Sequence, residues 1–111
     1  LNLAKDLNCE FANFYSTMAY PGSQLYLDAI KNNWELPESY VGFSQHSYET
    51  QPLPTKYLNP AEVLGFRDAA FNDYYSNEKY LNFVKNKFGQ ATYDDIIKMT
   101  RYSLKRRLLR N

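Results

Sequence analysis

His46 and Cys9, each the sole residue of its kind, are the side chains here with the most chemistry to offer. An imidazole titrates near neutrality and passes protons, and Glu49, three residues on, is placed to orient it. A thiol becomes a nucleophile only beside a base or in a positive field, and the sequence around Cys9 supplies neither. Cys9 is expected to be a small buried thiol, and His46 a polar loop residue. One cysteine rules out an internal disulfide, and no His/Cys/Asp/Glu cluster has metal-ligand spacing. The carboxylates offer no clear catalytic pair: Asp94 and Asp95 suit a helix start, and Glu35 and Glu38 flank Pro37. Lys105, Arg106 and Arg107, with Tyr102 nearby, could meet phosphates. On a helix, however, three successive residues spread over about 200°, so a solvated last turn is expected instead. Pro21-Gly22-Ser23 has a single glycine and reads as a strand-to-helix turn, short of a phosphate-cradling loop.

The composition limits what these residues can belong to. At 111 residues, with 44% hydrophobic and 23% charged, the chain suits one small globular domain. A net charge of +1 gives no footprint for nucleic acid or membrane, and no apolar stretch nears the roughly 20 residues of a span. A cytoplasmic setting is expected. The outlying feature is aromatic content, 17% with 11 Tyr, which suits half-buried surfaces that a partner covers.

The elements that position these residues follow from periodicity. Residues 1–8 read as the end of a helix, with Leu3, Ala4 and Leu7 on one face. Residues 10–20 alternate with aromatic and β-branched character and predict a strand, which would need a sheet this chain does not supply. Ser23 should cap a helix to about Asn33 with Tyr26, Ile30 and Trp34 as its face. The prolines Pro37, Pro52 and Pro54 predict a long irregular arm. Asn59-Pro60-Ala61-Glu62 then carries the signature of a capped helix to about Tyr75. Asn77 to Gly89 and Thr92 to about Leu108 complete three helices.

Tyr20-Pro21-Gly22-Ser23-Gln24-Leu25-Tyr26, within residues 13–26, resembles the PYPGTxLY segment near the end of a radical S-adenosylmethionine (SAM) domain. Trp34-Glu35-Leu36-Pro37, Ser44-Gln45-His46-Ser47-Tyr48-Glu49-Thr50 and Leu53-Pro54-Thr55-Lys56-Tyr57-Leu58 are similar to the C-terminal region of radical SAM proteins with a cobalamin-binding domain. Such proteins are described as Fe–S oxidoreductases or relatives of the anaerobic Mg-protoporphyrin IX monomethyl ester cyclase. Ala19 stands where the motif has its first proline, and Ser23 where it has threonine. The C-x3-C-x2-C cluster motif, the glycine-rich SAM segments and the cobalamin domain are not in this sequence.

The resemblance implies a mainly α fold: a small helical bundle preceded by a helix–strand segment from the end of a partial (β/α) barrel, with a long irregular arm. Residues 1–33 would end the barrel, 34–58 form the arm, and 59–111 a three-helix cap. It further implies a C-terminal fragment, itself non-catalytic, that helps close the active site of a parent. That parent would use SAM, a 4Fe–4S cluster and possible cobalamin, none held by this chain. Met18, Ala19 and Tyr20 would lie near the SAM adenosine, and Gln45, His46 and Tyr48 could approach the site. The partner would be the remainder of the same polypeptide, with no membrane and no nucleic acid expected. The alternatives are a Tyr-rich protein-interaction module and a nucleic-acid-binding helical domain.

Overall fold

The computed structural model describes residues 1–111 as a mainly helical chain. In order come α1 (Asn2–Leu7), α2 (Gln24–Lys31), a 3-10 turn (Tyr40–Phe43), α3 (Pro60–Tyr75), α4 (Glu78–Phe88) and α5 (Gln90–Thr100). Two compact units share them. Residues 1–14 and 68–103 form the first, and residues 15–67 with 104–111 the second.

The predicted capping residues take up their posts. Asn59 Oδ1 accepts from the Glu62 amide at 2.9 Å, and Glu62 Oε2 accepts from the Asn59 amide at 2.8 Å, which completes a reciprocal capping box at the start of α3. Ser23 caps α2, and Asn77 caps α4 through the Lys79 amide. Gly89, at φ +92°, ends α4 and is followed at once by α5, two residues earlier than Thr92 suggests.

In the first unit α4 and α5 pack against each other. The core is Tyr74, Tyr75, Tyr80, Leu81 and Val84, ringed by Leu1, Ala4, Phe71, Ile96 and Ile97 among others. The three tyrosine rings stand 5.0–5.2 Å apart, two of the pairs edge-on, the arrangement their quadrupoles favour.

Three expectations fail here. No strand forms over residues 10–20, which run without a ladder. In the first unit tyrosine hydroxyls do the work of a neighbouring strand. Tyr74 donates to the Cys9 carbonyl and Tyr80 to that of Glu10 at 3.0 Å, while Tyr75 donates to the Ala12 carbonyl at 2.8 Å and accepts from its amide at 3.0 Å. A backbone paired in this way needs no sheet. The last helix, in turn, stops at Thr100 rather than near Leu108, so Leu104 and Leu108 are not on a helical stripe. Cys9 is exposed, not buried.

Candidate functional site

The residues singled out by the motif lie in the second unit, so its local geometry defines the candidate site. Gly22, at φ +89°, allows the chain to reverse after Pro21. The Ser23 hydroxyl donates to the Tyr20 carbonyl at 2.7 Å and accepts from the Tyr26 amide at 3.1 Å, linking the turn to the first turn of α2. Met18 and Ala19 are buried, Ala19 against Ala29 and Leu53, whereas Tyr20 is half exposed with its ring tilted beside Phe43. The three nominated residues are thus contiguous but present different groups: two buried side chains and one accessible phenol.

Gln45 acts as a one-residue substitute for a strand. Its Oε1 accepts from the Ser16 amide at 3.0 Å, and its Nε2 donates to the Ser16 carbonyl at 2.9 Å and lies 3.2 Å from the Tyr20 hydroxyl. The Leu53 amide then donates to the Thr17 carbonyl at 2.9 Å. Two parts of the arm therefore hold residues 16–20 in place. His46, beside Gln45, has its Nε2 3.2 Å from an Arg67 guanidinium nitrogen. Arginine can only donate, so Nε2 accepts and the proton of a neutral ring sits on Nδ1. Glu49 does not orient this ring, because its carboxylate pairs with Arg107 at 2.7 Å. Tyr48 is exposed, and its carbonyl accepts from the Arg107 amide at 2.8 Å.

Arg106 fixes the arm from beneath and is the largest fully buried side chain. It donates to the carbonyls of Gln45 at 3.0 Å and Ser47 at 2.9 Å and to the Thr50 hydroxyl at 2.8 Å. Its own amide donates to Asn111 Oδ1 at 2.7 Å. The buried guanidinium ties residues 104–111 to the arm. The expected solvated basic turn is therefore wrong for Arg106, and Arg107 is ion-paired. Sequence gave no sign of this, since one arginine in a basic run looks like its neighbours.

Hydrogen bonds tie residues 42–51 of the arm together. Thr50 Oγ1 lies 2.6 Å from the carbonyls of both Ser44 and Ser47, and the Gln51 amide donates to the Gly42 carbonyl at 2.9 Å. A Cβ on Gly42 would lie 2.4 Å from Pro37 Cβ. Gly42→Ala should therefore destabilise the chain by about 2 kcal/mol, the usual scale of overpacking, read as a lower denaturant midpoint at unchanged slope.

No group of three or more His, Cys, Asp or Glu side chains converges in a way that could hold a metal ion. No helix is long and apolar enough to cross a membrane. What the arrangement offers chemically is a Tyr20 hydroxyl in contact with the Gln45 amide, next in sequence to an Ala19 buried with Ala29 and Leu53. No family model matches the chain, and neither curated proteins nor solved structures give a match.

Proposed function

We propose that the chain is the C-terminal part of a radical SAM iron–sulfur oxidoreductase of the cobalamin-binding-domain type, and that it helps to cap the parent's active site. One observation carries this reading beyond the motif. Residues 15–20 lead through the Pro21–Gly22 turn into the Ser23-capped α2, whose Leu27 and Ile30 form an uncovered apolar pair at i and i+3. An extended segment, a tight turn and a helix with an apolar outer face is what a β/α layer contributes when its sheet is supplied elsewhere. The sequence predicts Tyr26, Ile30 and Trp34 as one face of this helix, but Trp34 lies beyond its end. Ala29 is the buried residue of α2, which leaves Leu27 and Ile30 available to another surface.

The residues present fit a supporting role. A lone exposed Cys9 does not make a cluster site, so the iron–sulfur ligands would belong to the preceding polypeptide. With their side chains buried, Met18 and Ala19 would meet an adenosine through backbone groups, and Tyr20 through its phenol. When bound, the cluster would supply the electron that cleaves SAM. This chain would position residues 16–20 through Gln45 and exclude water with the arm.

The rival readings have less to stand on. Part of the tyrosine excess is consumed internally by Tyr74, Tyr75 and Tyr80, which weakens a Tyr-rich interaction surface as the reason for it. Burial of Arg106 and pairing of Arg107 leave little of the basic run for phosphates.

The test is to extend the reading frame upstream of Leu1 and assay the resulting protein after anaerobic iron–sulfur reconstitution. A C-x3-C-x2-C triplet is expected, together with methionine released from SAM under a strong reductant. An upstream sequence without the triplet, or a reconstituted and reduced cluster that leaves SAM intact, overturns the proposal.

A further inference from the structure

The last residues of the second unit, Leu104–Asn111, form no helix, yet they carry a fully buried side chain. Polar attachments join them to residues 45–50. The Arg106 guanidinium takes the carbonyls of Gln45 and Ser47 and the Thr50 hydroxyl. Beside it the Arg107 amide takes the Tyr48 carbonyl, and the Arg107 guanidinium pairs with Glu49. The Arg106 amide donates to Asn111 Oδ1 at 2.7 Å, which closes residues 106–111 on themselves.

One of the arm residues that receive Arg106 also reaches the other way. Gln45 accepts the guanidinium on its backbone carbonyl, while its side chain holds both the amide and the carbonyl of Ser16 and meets the Tyr20 hydroxyl. A hydrogen-bonded path therefore runs from Arg106 through a single residue to Ser16 and Tyr20. A second, independent observation concerns Ser16 itself. It is only 7% exposed, and its hydroxyl oxygen is buried without a hydrogen-bond partner. An unpaired buried hydroxyl favours any state that returns it to water, so the placement of Ser16 is opposed locally and maintained by contacts from elsewhere.

We propose that residues 104–111 are a latch for residues 16–20. With Arg106 seated, Gln45 holds this segment inward. With Arg106 withdrawn, the segment opens as a local unit while the first unit stays folded. The two-state element is Ser16, paired through its backbone when latched and through its hydroxyl with water when released. Arg106 is thus a positioning residue that acts through Gln45. The latch holds whatever residues 16–20 bind, so it does not rest on the radical SAM reading.

Native-state hydrogen exchange on the 111-residue chain tests this, read at the Ser16 amide with the amides of α4 as reference. Arg106→Lys should speed exchange at Ser16 about tenfold or more, while α4 changes less than about twofold. Gln45→Ala should speed Ser16 to a similar extent and leave the Arg107 amide, held by the Tyr48 carbonyl, protected. With Gln45 already replaced, Arg106→Lys should add less than about twofold at Ser16, because its route to that amide is gone. Asn111→Ala, at an exposed residue, should give a milder release of about threefold and keeps the test decisive if Arg106→Lys does not fold. Unchanged Ser16 exchange in Arg106→Lys or Asn111→Ala, equal acceleration in α4, or a full additional effect of Arg106→Lys in the Gln45→Ala background would overturn the latch.

Discussion

Arg106→Ala should lower the unfolding free energy by about 4 kcal/mol, within the range for a buried network that loses its charged member. The guanidinium reaches two carbonyls and one hydroxyl, all on residues 45–50, from a position with no solvent exposure. Truncation removes three charge-assisted bonds and strands the Gln45 and Ser47 carbonyls beside a cavity. Arg106→Lys should fall between wild type and alanine, since an ammonium keeps the charge but not the planar fork. Arg107→Ala is the contrasting control. Its pair with Glu49 is about half exposed on both sides, so the loss should be below about 1 kcal/mol. Urea unfolding of the three variants separates these cases, and an equal effect of the Arg106 and Arg107 changes would contradict the buried clamp. Hydrogen exchange adds a local readout, with amides around residues 44–51 losing protection first in Arg106→Ala.

The contrast between adjacent arginines shows where sequence reasoning succeeds and where it stops. Local signals were legible because their physics is local. Asn59 and Glu62 announce a capping box, Ser23 a cap and Gly89 a stop, and each is found in that role. The helical character of residues 60–88 follows from the same signals. The failures share a long-range cause. Residues 10–20 have the alternation of a strand, but their backbone is paired by side chains from Gln45 and from tyrosines more than 60 residues away. Periodicity carries no information about such partners. The basic run likewise looked like a helix end because propensity cannot foresee that one guanidinium will be claimed by the arm. At the candidate site, Tyr20 and the turn could be named from the motif, whereas the pairing of the Gln45 side chain with the Ser16 backbone carries no sequence signal.

Replacing Tyr74, Tyr75 and Tyr80 together by phenylalanine should cost about 4 kcal/mol at neutral pH, near 1 kcal/mol for each hydrogen bond to the backbone of residues 9–12. The rings and their packing remain, so the loss isolates the hydroxyls. Tyr75 alone should account for the largest share, because one hydroxyl serves both the amide and the carbonyl of Ala12. The same hydroxyls give the chain an alkaline limit. Burial raises all three phenols above the ordinary tyrosine value, and Tyr80, with Tyr75 and Tyr74 as neighbours, is pushed up to about 12. A raised phenol stays protonated in the folded chain after its unfolded counterpart has ionised, so between the two values the unfolded state binds fewer protons. Their contribution to stability is therefore intact below pH about 10 and declines as pH rises toward about 12 for Tyr80. Denaturant midpoints taken from pH 7 to pH 11.5 should fall in wild type from about pH 10 upward. In the triple phenylalanine variant the profile should be flatter over that window, though lower throughout. A wild-type curve no steeper than the variant's would mean that these hydroxyls do not hold the segment as the geometry indicates. The segment would then need another source of backbone partners, such as the sheet that its alternation first suggested.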